Sequence, residues 1–122
     1  MKQVIAGDIG GTNCRLILAE VDADSVAIRC EAYYPAREYN DFTTVLDQFV
    51  TEACCETIRV NTGIDAACFA VAGPVRNHYL ATLTNLPWTL DARHLQQHFN
   101  IPQVTLINDF AANGYSLAVL GH

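Results

Sequence analysis

The sequence predicts an α/β domain on a mixed five-stranded sheet, and three observations carry that expectation. Residues 3–34 hold three strand-like runs joined by short polar turns, an antiparallel meander. From Tyr39 the apolar period changes to three-and-four, the spacing of one helix face. Two short, mainly apolar runs follow at 66–71 and 104–107, of the kind buried on both faces of a parallel sheet. Strand, helix, strand in that order predicts right-handed crossovers.

The first two strands bracket the most informative stretch. Val4, Ile5 and Ala6 lead in, and Leu16, Ile17 and Leu18 lead out. Between them stand Gly7, Asp8, Ile9, Gly10, Gly11 and Thr12. Glycine lets another group approach the backbone closely, and successive turn N–H groups can form an anion-binding concavity. Asp8 would repel a bare phosphate but suits one that shares a Mg²⁺ ion with it. Thr12 can donate its hydroxyl to a phosphate oxygen. The spacing is neither G-x-G-x-x-G nor a Walker A loop. On spacing alone, a hairpin turn with a capping Asp fits as well.

After a turn at 22–25, the third strand covers 26–34, with Val26, Ile28 and Cys30 alternating with Ala27, Arg29 and Glu31; Pro35 ends it. The helix stripe is Phe42, Val45, Leu46, Phe49, Val50, Ala53 and Cys54, capped by Asn40 or Asp41 and read as core packing. Asn61-Thr62-Gly63 closes this segment. The 66–71 strand runs into Ala72-Gly73-Pro74-Val75. Ligands meet open α/β sheets at such strand ends, although a plain chain-reversing turn reads the same way. Residues 78–83 read as extended, and Trp88 reads as a core or loop anchor. Asn85 suits either a polyhydroxy ligand or an Asx turn.

A second helix spans 91–99, with Leu90 and Leu95 placed as a hydrophobic staple about an Asp91 cap. His94 and His98 lie one turn apart on it without the glutamate of H-E-x-x-H, which reads as a solvated face. Asn100 and Ile101-Pro102 close it. The 104–107 strand stops at Asn108-Asp109-Phe110, and a helix-like segment with Ala111, Ala112, Tyr115, Leu117 and Leu120 follows. Asp109 therefore suits two roles: a helix N-cap, or a general base for a kinase acting on an alcohol. Asn108 offers a donor and an acceptor to a sugar hydroxyl.

Composition sets the bounds. The chain has 122 residues, 51% of them hydrophobic, enough for one domain with a real core. A net charge of −6 without a basic cluster argues against nucleic acid. No apolar run approaches a membrane span, and no secretory signal precedes the first strand, so a cytoplasmic protein without a membrane partner is expected. Five cysteines without a C-x-x-C read as reduced, small apolar residues.

The pattern Asp-x-Gly-Gly-Thr-x-x-Arg, met by Asp8, Gly10, Gly11, Thr12 and Arg15, resembles the first phosphate-binding motif of sugar kinases related to hexokinase and actin. The turn at 72–75, Thr84-Asn85-Leu86-Pro87-Trp88 and Leu106-Ile107-Asn108-Asp109-Phe110 follow in the order seen in bacterial-type glucokinases. The resemblance implies an RNase H-like (actin-like ATPase) domain with strand order 3-2-1-4-5 and helices on both faces. It implies phosphorylation of glucose to glucose 6-phosphate, with ATP and Mg²⁺ as cofactors, and it leaves room for a homodimer. Gly7, Asp8, Ile9, Gly10, Gly11 and Thr12 would hold the ATP phosphates, with Asp8 approaching Mg²⁺ through water. Asn108 and Asp109 would bind glucose, and Asp109 would be the base. Family chains are more than twice this long, so residues 1–122 would be the N-terminal domain and inactive alone. A non-catalytic sugar-sensing module and a kinase for another hexose are the competing readings. The first strand's start at residue 3 and the retained Asp8 and Asp109 speak against the sensor.

Overall fold

The computed structural model describes residues 2–10, 12–53, 63–77, 79–83 and 86–108. Its elements are β1 (Lys2–Ile9), β2 (Asn13–Val21), β3 (Val26–Pro35), α1 (Phe42–Gln48), β4 (Ala66–Val71), β5 (Val75–Arg76), β6 (Leu80–Thr82), β7 (Thr89–Asp91), α2 (Ala92–Phe99) and β8 (Val104–Asn108). A 3₁₀ turn, Ala36–Glu38, follows β3, and a π-helical turn, Phe49–Ala53, continues α1.

The main sheet has the order β3-β2-β1-β4-β8, which is 3-2-1-4-5 when strands are counted within it. β1 runs antiparallel to β2 from Lys2↔Val21 to Ile9↔Cys14, and parallel to β4 from Val4↔Ala66 to Ile9↔Val71. β8 is parallel to β4. The expected mixed sheet is therefore found. A second, three-stranded sheet, β5-β6-β7, is built from 75–76, 80–82 and 89–91, of which only the middle strand lies in the 78–83 stretch read as extended. Strands of two or three residues are too short to show a period.

Side chains alternate between the faces of a strand. Ile5 and Ile9, Leu16 and Leu18, Phe69 and Val71, and Leu106 share one face and are all fully buried. The α1 stripe packs on it: Phe42, Val45, Leu46 and Phe49 are buried, and the Phe42 ring meets Phe69 edge-on at 4.9 Å. Trp88 joins this core, and its indole N–H donates to the Tyr39 carbonyl at 3.2 Å. Of the core and loop roles open to it, Trp88 takes the core one.

One expected alternation fails. Leu18 pairs with Cys30 but Ala19 pairs with Ile28, so Arg29 is an extra residue, a β-bulge. The bulge moves Ile28 off the Cys30 face, and Ile28 is 56% exposed instead of packed. Edge-strand bulges depend on the partner's register, which the sequence of β3 alone does not contain.

Helix ends follow the expected chemistry. Asp41 caps α1 by accepting from the Thr44 N–H at 2.8 Å, and Asp91 caps α2 by accepting from the Arg93 N–H at 2.9 Å. Leu90 and Leu95 are both buried, as the staple requires. Asn100 ends α2 in the left-handed region, at φ 55° and ψ 45°. Among the described residues no helix is long and apolar enough to cross a membrane.

The backbone and hydroxyl hydrogen bonds from Thr44 hold the Asp41 carboxyl below its ordinary pKa. Such a group contributes stability above its unfolded-state pKa and loses it as pH falls through the lower folded value. Asp41→Ala should cost about 1 kcal/mol near neutral pH, the usual worth of a cap. Urea unfolding across the acid range should show that difference shrinking below the carboxylate range, and Asp41→Asn should stay near wild type.

Candidate active site

Parallel pairing brings three strand ends level. Ile9 pairs with Val71, and Val71 with Asn108, so β1, β4 and β8 reach one edge in a single row. Neighbouring strands lie about 4.8 Å apart, which sets Asn108 about 10 Å from Ile9 across the sheet. The glycine hairpin continues from the end of β1, and the 72–74 turn continues from the end of β4. Ile9, Gly10, Gly73 and Asn108 thus lie along one edge, with Gly7 and Asp8 just inside it on β1.

The hairpin divides its residues among different tasks. Gly7 lies within β1, where a Cβ would stand 2.7 Å from both Leu16 Cδ2 and Phe69 Cδ1. A side chain there would force the buried Leu16 or Phe69 to shift. The Ile9 side chain is fully buried in the core, so only its backbone faces the turn, and its carbonyl accepts from the Ala72 N–H at 3.0 Å. The Gly10 N–H closes the hairpin onto the Asn13 carbonyl at 3.1 Å. Thr12 is exposed, and its carbonyl accepts from the Ala36 N–H at 2.9 Å, tying the turn to the end of β3. Gly11 lies outside the described residues.

Asp8 is exposed on the sheet face opposite the α1 core, directly across from Arg15. Arg15 Nε donates to Glu31 Oε2 at 2.5 Å, and its guanidinium carbon is 6.0 Å from the Tyr33 ring centre. The Glu31 hydrogen bond is the main reason that the Arg15 pKa is raised; the Asp8 charge adds to it. Glu31 and Tyr33 were not singled out by sequence, because only the β2–β3 register brings them beside Arg15. A single exposed carboxylate fits Mg²⁺, which is usually held by one or two carboxylates together with water and phosphate oxygens. No group of three or more potential metal ligands occurs among the described residues, His94 and His98 included.

Burial pushes the Cys14 thiol up to about 12, with the Asp8 charge adding to the effect. It stays protonated at neutral pH and is a core residue, not a reactive one.

At the other end of the row, Asn108 is half-buried and its Nδ2 donates to the Gly73 carbonyl at 2.9 Å. The sequence singled out both residues, but nothing in a separation of 35 residues joins them. Asp109, Asn85 and the helix-like segment 111–120 lie outside the described residues.

A family model described as Glucokinase matches residues 5–122. A glucokinase of Nostoc punctiforme is 41% identical over 122 residues, covering 98% of this chain and 33% of the relative. The crystal structure of a glucokinase from an Antarctic psychrotroph superimposes with a TM-score of 0.78 at 28% identity, over 97% of this chain and 35% of the other. The glucokinase of Balamuthia mandrillaris in complex with glucose gives 0.68 at 25% identity, over 95% and 32%. The chain spans about a third of the length of the curated relatives it matches.

The packing around Gly7 has a direct check. Gly7→Ala should destabilise the chain by about 1–3 kcal/mol, the range for overpacking a core. Unaltered urea unfolding would mean that Leu16 and Phe69 give way without cost.

Proposed function

This chain belongs to the glucokinase family, and we propose that it is the N-terminal domain of an ATP-dependent kinase converting glucose to glucose 6-phosphate. The single observation that supports this best is the level row of strand ends. It puts the glycine hairpin at the end of β1 and a sugar-competent amide at the end of β8, about 10 Å apart along one sheet edge, with the exposed Asp8 carboxylate on the opposite face of the sheet from Asn108.

In this reading the hairpin receives the ATP phosphates. The Gly10 N–H is engaged with Asn13, so the exposed Thr12 hydroxyl is the described donor best placed for a phosphate oxygen. Asp8 would hold Mg²⁺ through water, and the ion would neutralise phosphate charge. Asn108 binds a sugar hydroxyl. Asp109, next in sequence to Asn108, accepts the proton of the attacking 6-hydroxyl as its oxygen bonds to the γ-phosphorus and ADP departs. Most of the catalytic effect is then positioning and charge stabilisation. The remainder of the sugar site and the adenosine pocket are assigned to a second domain that closes over this one.

Two measurements test the reading. Asp109→Asn in the full-length enzyme should lower kcat by about 10²–10⁴-fold, the usual contribution of a general base. The melting temperature should hardly move, since Asn caps a helix nearly as well as Asp. A kcat within about threefold of wild type would move the base elsewhere. Calorimetric titration of residues 1–122 alone with glucose should show weak binding at best. Micromolar affinity would mean that this domain carries a complete sugar site.

A further inference from the structure

We propose that Gly73 is a positioning residue for the sugar site: its main-chain carbonyl orients the Asn108 amide before substrate arrives. This deepens, and rests on, the reading of Asn108 as a sugar contact. A carbonyl oxygen only accepts, so the amide edge turned to Gly73 has to be the nitrogen. The 2.9 Å bond from Nδ2 therefore fixes which way the amide is flipped.

The carbonyl is itself held from two sides. The Gly73 N–H donates to the Val71 carbonyl at 2.9 Å, which anchors the turn to the end of β4. The Pro74 carbonyl accepts from the Thr82 N–H at 3.3 Å, which anchors it to β6 in the second sheet. Gly73 is buried where these strands converge. A Cβ there would stand 2.0 Å from the Thr82 carbonyl oxygen and 3.1 Å from the Leu83 Cα. Both are main-chain atoms, so no rotamer change relieves the clash and the turn itself must shift. Glycine at 73 thus has a function in the site: it lets the small sheet press the turn against Asn108. An amide oriented in advance need not be ordered on binding, which favours affinity for the sugar.

The test is a cycle of Gly73→Ala, Asn108→Asp and the double variant in the full-length enzyme. Aspartate keeps the size of Asn108 but at neutral pH cannot donate to the Gly73 carbonyl. Each single variant should raise the KM for glucose by about tenfold, the scale of one lost hydrogen bond, and leave the KM for ATP unchanged. The double variant should be no worse than Asn108→Asp alone, because residues acting through one contact are not additive. Independent, multiplying effects would overturn the positioning role while leaving Asn108 as a sugar contact. An unchanged glucose KM in Asn108→Asp would overturn the sugar reading and this proposal with it. Should Gly73→Ala fail to fold, nuclear magnetic resonance of ¹⁵N-asparagine-labelled wild type decides, with Asn108→Asp assigning the signal. One Asn108 side-chain proton should be shifted downfield and protected from exchange before glucose is added. A pair of rapidly exchanging protons that becomes ordered only with glucose would overturn the proposal.

Discussion

The dual pairing of β1 is the constraint on which the remaining structure depends. It is bonded to β2 along its whole length and to β4 along most of it. A strand held on both sides cannot slip by one residue without exchanging its two faces. Here the exchange would expose Ile5 and Ile9 and drive the Asp8 carboxylate into the core. Register therefore protects the core and the site through the same bonds. Gly7 strengthens the lock, since Leu16 and Phe69 close over the position where any other residue would place a Cβ.

The two halves of the edge are built differently. The β1 side displays charge: Asp8 and Arg15 face solvent, with Glu31 and Tyr33 steadying the guanidinium. The β8 side is a half-buried amide pinned by the carbonyl of the buried Gly73. This contrast suits the proposed ligands. Phosphates exchange metal and water as the reaction proceeds, whereas a sugar is recognised by hydrogen bonds of fixed direction, and fixed direction requires rigid donors and acceptors.

Most of the main sheet was legible in the sequence, because its strands are long or continuously apolar and its turns carry glycine, aspartate or proline. The Asp91 cap, the Leu90–Leu95 staple and the Asn100 terminator could also be read, since each is a local bond between near neighbours. What could not be read depends on distant partners. The bulge at Arg29 arises from the fit of β3 to β2. The second sheet consists of strands shorter than any detectable period. The contact of Asn108 with Gly73 and the clustering of Glu31 and Tyr33 with Arg15 follow from register between strands far apart in the chain. Gly7 was marked by the motif for phosphate; that Leu16 and Phe69 also crowd its Cβ position follows from register and could not be read.

The bulge in β3 has a further effect. β3 is the outermost strand of its sheet, ten residues long, with one side of its backbone unpaired by the other described strands. A flat edge of that length is a template on which a foreign strand can add and begin aggregation. The extra residue at Arg29 interrupts the regular ladder and twists the edge locally. Arg29 pairs with Glu20, and Glu31 stands two residues further along, so charge lies where an incoming apolar strand would settle. The irregularity that defeats the simple alternation of β3 also breaks the regular ladder on which a foreign strand would pair.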